Sequence, residues 1–134
     1  MSDHDAVLFA NEAFYTAFKY RDIAAMEDAW ATAVPVTCIH PGWDALHGRE
    51  EVMASWSSIL GSDNAPEINC LAPRAHIYGQ AAVVLCFEEI AGDYLIATNV
   101  FAREGARWRM VHHHAAPTDG EPPDDAEAEP NPIN

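Results

Sequence analysis

Positive charge is the scarcest commodity in this sequence. Seven Lys and Arg stand against 21 Asp and Glu, a formal net charge of −14. A chain so short of cations offers no basic surface to phosphates, so nucleic acid and anionic membrane are poor partners. Long apolar runs are missing as well. No stretch approaches the roughly 18 residues that a membrane span needs. The start, Met1-Ser2-Asp3-His4-Asp5, lacks the basic residues and apolar run of a secretory signal. Cysteine is sparse: Cys38, Cys70 and Cys86 are odd in number and show no CxxC spacing. Each falls in an apolar, strand-like stretch, which fits buried free thiols in a reducing compartment and a cytoplasmic location.

What is present is one domain's length, 134 residues, of which 49% are hydrophobic. That is enough to build a core without staples. Residues 4–19 read as a helix, with Val7, Ala10, Phe14, Ala17 and Phe18 at three- and four-residue steps and Leu8 and Tyr15 widening the stripe. Asp22 caps a second, short helix carrying Ile23, Met26 and Trp30, and Val34-Pro35 ends it. Residues 36–40 are β-branched enough to predict a strand, and Pro41-Gly42-Trp43 a turn. Gly48 opens a third helix with Glu50 and Glu51 in its first turn, a buried stripe of Val52, Trp56, Ile59 and Leu60, and Gly61 at its end.

The second half changes character. Residues 67–78, 81–90, 94–103 and 106–116 are four strand candidates separated by Gly79-Gln80, Ala91-Gly92-Asp93 and Glu104-Gly105. Turns this short predict antiparallel neighbours, a meander. Helices first and an antiparallel sheet after make an α+β fold with the helices on one face. The domain is expected over residues 1–117. From residue 118 to 134 the chain is rich in Pro and acid, with six Asp and Glu and no Lys or Arg, and is expected to be a disordered tail.

Three stretches carry a family resemblance. They are Cys38-Ile39-His40-Pro41-Gly42-Trp43 followed by Leu46-His47-Gly48-Arg49-Glu50-Glu51-Val52; Ala75-His76-Ile77-Tyr78-Gly79; and the run from Val100 to Pro117, with its Val100-Phe101-Ala102-Arg103 and Trp108-Arg109-Met110-Val111-His112-His113-His114. In order and spacing they resemble the NTF2-like superfamily, also called SnoaL-like. The last stretch is similar to the end of the calcium/calmodulin-dependent protein kinase II association domain and of bacterial single-domain SnoaL-like proteins. One departure is Ala115-Ala116 where a Ser often follows the last histidine. The resemblance implies an NTF2-like cone: N-terminal helices packed on a strongly curved antiparallel sheet, with a pocket opening at one end. It also implies homodimers formed through the outer face of the sheet. Members include isomerases, dehydratases and cyclases as well as non-catalytic binding and assembly modules, so the fold leaves function open.

Strict alternation along the last strand puts Trp108, Met110, His112 and His114 on one face and Arg109, Val111 and His113 on the other. The first set, with its Trp and Met, is expected to line the pocket. His112 and His114 then read in three ways: as hydrogen-bonded structural histidines, as ligand contacts or an acid/base, or as metal ligands needing a third donor from His40 or Glu88. No metal or cofactor is called for. His40 and Trp43 flank a turn that reads either as a pocket mouth or as a helix entry with Trp43 covering the core. Asn99 sits among apolar residues and must find partners. Of the adjacent Glu88 and Glu89, one faces in and one out, and an inward Glu88 would have a raised carboxyl pKa; the alternative places both near the solvated end of the strand. The expected ligand-binding set is therefore Tyr15, His40, Trp43, Asn99, Trp108, His112 and His114, with His112 and His114 as the candidate catalytic pair. The expected ligand is a small organic molecule, with a carboxylic acid among the candidates, for which Arg74 is a candidate partner by resemblance to the kinase-association domains. An acid/base enzyme on a small hydrophobic substrate and an oligomerisation module are the alternatives. Few Asp residues fall in the strands, which argues against carrying over a Tyr–Asp or Asp–Arg–Asp mechanism.

Overall fold

The first helix forms where the apolar stripe says it should, and its ends are chemically marked. In a computed structural model that describes residues 1–124, α1 runs Asp3–Lys19, with the Ser2 hydroxyl accepting from Asp5 N–H and Asp3 and Asp5 in the first turn. Its buried side is Val7, Leu8, Asn11, Phe14, Tyr15, Ala17 and Phe18. Asp22 caps α2 (Ile23–Ala29) through Ala25 N–H. The remaining elements are β1 (Thr37–Ile39), β2 (Leu46–His47), α3 (Arg49–Leu60), β3 (Asn69–Tyr78), β4 (Ala81–Ile90), β5 (Asp93–Glu104) and β6 (Arg107–Pro117). The two-residue β2 is an addition to the elements expected from sequence. The outer part of the expected tail, residues 125–134, lies outside the described residues.

The sheet has six strands in the order β2-β1-β6-β5-β4-β3. β3 to β6 form the expected antiparallel meander. β1 adds to β6 in parallel, with Cys38 opposite His113. The sheet is curved and unclosed, and α1 and α3 fill its concave side. Phe14 sits at the centre, its ring edge-on to Tyr15 (4.8 Å), Trp56 (5.4 Å) and Trp30 (6.4 Å).

Two irregularities set which side chains face in. In β3 the register slips between Leu71 and Arg74, around Ala72 (φ 54°) and Pro73. In β6 it slips between Met110 and His112: Met110 pairs with Phe101 and His112 with Val100, leaving Val111 as the extra residue of a β-bulge. The bulge overturns the strict alternation expected for this strand. Trp108 and Met110 face inward as anticipated, but beyond Val111 the pattern inverts. His113 and Ala115 are buried, at 4% and 1% exposure, whereas His112 is half-buried and His114 exposed. A one-residue insertion in a period of two moves every later side chain to the other face.

Candidate functional site

The concave face of the sheet and the buried stripe of α1 bring five polar side chains into the core. Asn11, Tyr15, Glu88, Asn99 and His113 are all under a tenth exposed. Burial of so much polarity is tolerated only where hydrogen bonds replace water, and here they form one chain. Asn99 Nδ2 donates to Asn11 Oδ1 (2.9 Å) and to the Tyr15 hydroxyl oxygen (3.1 Å). The Tyr15 hydroxyl donates to Glu88 Oε2 (2.6 Å). With the Asn99 amide so oriented, its Oδ1 accepts from His113 Nδ1–H at 2.6 Å. That bond selects the tautomer of His113 and leaves its Nε2 lone pair toward Glu88 Oε2, 3.8 Å away. Two thiols border the network: Cys86 Sγ lies 3.3 Å from the Tyr15 hydroxyl, and Asn11 Nδ2 reaches Cys70 Sγ at 3.7 Å.

Burial drives the ionisation of these groups toward neutrality. Glu88 is pushed up to about 7 by loss of water, against a smaller lowering by the Tyr15 hydrogen bond. Burial, helped by the neighbouring imidazoles, pushes His113 down to about 3. Tyr15 is raised well above the ordinary phenol value, chiefly by burial and then by the nearby acidic groups. A carboxyl that holds its proton to neutrality beside an imidazole that stays uncharged is a donor set against an acceptor, the division of labour that acid/base chemistry uses.

A second polar pair lies beside this network. His40 Nε2 is 2.8 Å from Ser55 Oγ, and that hydroxyl donates to Val52 carbonyl at 2.7 Å. Ser55 is thus an acceptor for His40 N–H, and its proton is committed to the backbone; the pair is not an activated nucleophile. The His40 ring packs edge-on to Trp56 (4.8 Å) and Trp43 (4.9 Å), and burial lowers its pKa to about 4. Cys38 beside it is pushed up to about 12 by burial, and so stays a thiol.

The expected ligand-binding residues therefore fall into several places. Tyr15 and Asn99 meet, hydrogen-bonded, inside the cone. His40 is buried next to them and Trp43, 48% exposed, covers it from outside. Trp108 is buried at the opposite end of β6 under Arg103, whose guanidinium carbon is 5.7 Å from the ring centroid. His112 and His114 are on the outer face, rings 6.4 Å apart, with His112 Nδ1 2.7 Å from Thr37 Oγ1. The bulge at Val111 thereby separates them from the interior, where they were expected. Arg74 is exposed and pairs across from Leu85, which also faces outward, so it cannot line the cone. Among the described residues, no group of three or more His, Cys, Asp or Glu is placed to hold a metal ion. Asn11, Ser55 and His113 are interior polar residues that the sequence pattern did not place there. Asn11 carried a signal, being a polar residue four positions before Tyr15 and four after Val7 on the apolar stripe.

A surface hollow of about 500 Å³ opens beside the β4–β5 turn, lined by Pro66, Glu67, Asn69, Glu89, Ile90, Ala91 and Gly92. It contains none of the network residues, since Asn69 and Glu89 alternate with the inward Cys70 and Glu88.

Residues 7–119 match the family model of a SnoaL-like domain. A protein from Streptomyces avermitilis, provisionally assigned as a dehydratase of the NTF2-like family, superposes with a TM-score of 0.80. It is 31% identical, with 88% of this chain and 97% of that one covered. A protein from Thiobacillus denitrificans, provisionally assigned as a calcium/calmodulin-dependent protein kinase type II association domain, gives 0.73 at 32% identity, covering 82% and 93%. Among curated proteins, the F-box protein SKIP8 of Arabidopsis thaliana is 29% identical over 113 residues. These cover 83% of this chain and 49% of that protein, so the chain spans about half the length of its relative.

Proposed function

The chain belongs to the SnoaL-like domain family, and from that premise we propose that it binds a small organic molecule inside the cone, with the ligand's polar group on the Tyr15–Glu88–Asn99–His113 network. The observation that carries this reading is the network itself. A core of this size gains nothing in stability from a buried carboxyl and imidazole that apolar residues would not supply. Perturbed titratable groups gathered in one concave interior are the usual mark of a binding or catalytic site. His40 and Trp43 are the entry side, because Trp43 is the half-exposed cover over a buried imidazole.

Thermal denaturation across a set of small polar-headed molecules tests this. A ligand at a hundred times its Kd stabilises by about 2.7 kcal/mol. Hits are expected to raise the Tm of the natural chain and to leave an Asn99→Leu variant unmoved. Equal stabilisation of both would place binding elsewhere and sink the reading.

Two further readings have support of their own. The opposed shifts of Glu88 and His113 favour acid/base catalysis at the same site, with Glu88 as proton donor and His113 Nε2 as acceptor; the dehydratase assignment of the Streptomyces relative points the same way. Self-association through the outer sheet face is supported by its composition. Val83, Leu85, Phe87, Ile96 and Val100 lie in adjacent register on that face, with Leu85 and Ile96 41% and 38% exposed. The association-domain relative agrees with it.

A further inference from the structure

The hydrogen bonds of the interior network use Glu88 Oε2 and His113 Nδ1, and leave Glu88 Oε1 and His113 Nε2 in no hydrogen bond among the described residues. Trp56 Nε1 is buried and has no hydrogen-bond partner among the described residues. The Trp56 ring lies 6.0 Å from His113, and Phe14 packs on the imidazole at 4.9 Å. The site thus combines a lone-pair acceptor, a carboxyl and an indole N–H donor within aromatic walls. Its charge is as telling as its hydrogen bonding. All seven basic side chains are engaged or exposed elsewhere. Arg49 donates to the carbonyls of Glu27, Trp30 and Ala31, and Arg21 to that of Ala65. Arg103 pairs with Asp3, and Arg107 and Arg109 pair with Asp28. Lys19 lies over Tyr20, and Arg74 is exposed on the outer face.

We propose that the interior site selects a neutral alcohol, whose hydroxyl donates to His113 Nε2 and accepts from the Glu88 carboxylic acid or the Trp56 indole, in preference to a carboxylate. This rests on the interior being the ligand site. A carboxylate brought here would lose its water with no cation to replace it, and would leave an unpaired charge in the dry interior. An ammonium donates to His113 Nε2 but has no lone pair for Glu88–H or Trp56, and its charge is balanced only if Glu88 ionises in the dry interior. A hydroxyl meets both an acceptor and a donor with no charge to desolvate.

The test uses the full chain with ¹⁵N-labelled histidine at pH 6 and three probes of one shape: cyclohexanol, cyclohexanecarboxylate and cyclohexylamine. Cyclohexanol is expected to move the His113 imidazole signals saturably, at least tenfold more tightly than either charged probe. Its affinity should fall between pH 6 and pH 8 as Glu88 gives up its proton. Glu88→Leu should weaken cyclohexanol at least tenfold. Glu88→Gln, which keeps a donor and cannot ionise, should flatten the pH profile even if the leucine variant fails to fold. If the carboxylate or the amine saturates His113 at the lower concentration, the neutral-alcohol assignment is wrong while the interior site stands. If none of the three moves His113, the interior site falls with it.

Discussion

Glu88 and His113 both make the stability of this chain depend on pH, and they act in opposite directions. Folded Glu88 keeps its proton to about pH 7 instead of 4.5. The folded form therefore binds more protons than the unfolded form in that window, and the contribution is full below pH 4.5 and lost as pH rises through 7. Folded His113 resists protonation down to about 3 instead of 6.5. There the unfolded form binds more protons, and stability is lost as pH falls from 6.5 toward 3. Between 4.5 and 6.5 the two slopes oppose each other. Glu88→Gln removes only the alkaline loss, so its Tm relative to the natural chain should grow between pH 5 and pH 8. A difference that stays constant over that range would contradict a carboxyl titrating near neutrality. Arg49 makes a different kind of prediction. Its three backbone bonds to the end of α2 and the following residues tie that segment to the start of α3. Arg49→Ala should cost roughly 1–3 kcal/mol in urea denaturation, with three acceptors left to water or unpaired. Arg49→Lys should recover little of it, because an ammonium cannot present the planar fork.

At the scale of elements, local pattern carried most of the information. The stripe on α1, the Asp22 cap and the short glycine turns of the meander each specify their own element, and each is found within a residue or two of where pattern put it. The run from Leu46 to Glu51 is legible afterwards as well. Gly48 holds φ 88°, a conformation that favours glycine, and Arg49 is the staple just described. What pattern could not supply was register. Val111 looks like any other strand residue, yet it is the bulge that turns His113 inward and His112 and His114 outward. Half of the candidate site was legible for the same reason that half was not. Tyr15 and Asn99 lie before any irregularity on their elements, whereas the histidines follow one. The parallel pairing of β1 with β6, which puts Cys38 beside His113 and Thr37 beside His112, is a contact between segments some 75 residues apart, invisible to any local window.

At the scale of the whole molecule, the sheet has two faces with two jobs proposed for them. The inner face holds the neutral polar network. The outer face carries an apolar centre flanked by His76 and Arg74 on β3 and by His112 and His114 on β6. If that face joins two copies, sedimentation should find a dimer at micromolar concentration, and Leu85→Glu should return it to monomer by burying an unpaired charge in the contact. A chain that is monomeric without the substitution would remove this role and leave the interior site untouched. Both roles depend on which side of β6 each of three consecutive histidines occupies. Imidazole ¹⁵N spectra of the full chain, followed from pH 8 to pH 5, test that placement most directly. His113 is expected to stay neutral throughout as the Nδ1–H tautomer, its ring proton protected from solvent exchange, while the ring of exposed His114 exchanges freely. A His113 that titrates near its ordinary value of 6.5, or that carries its proton on Nε2, would contradict the bulge, the network and the site built on them.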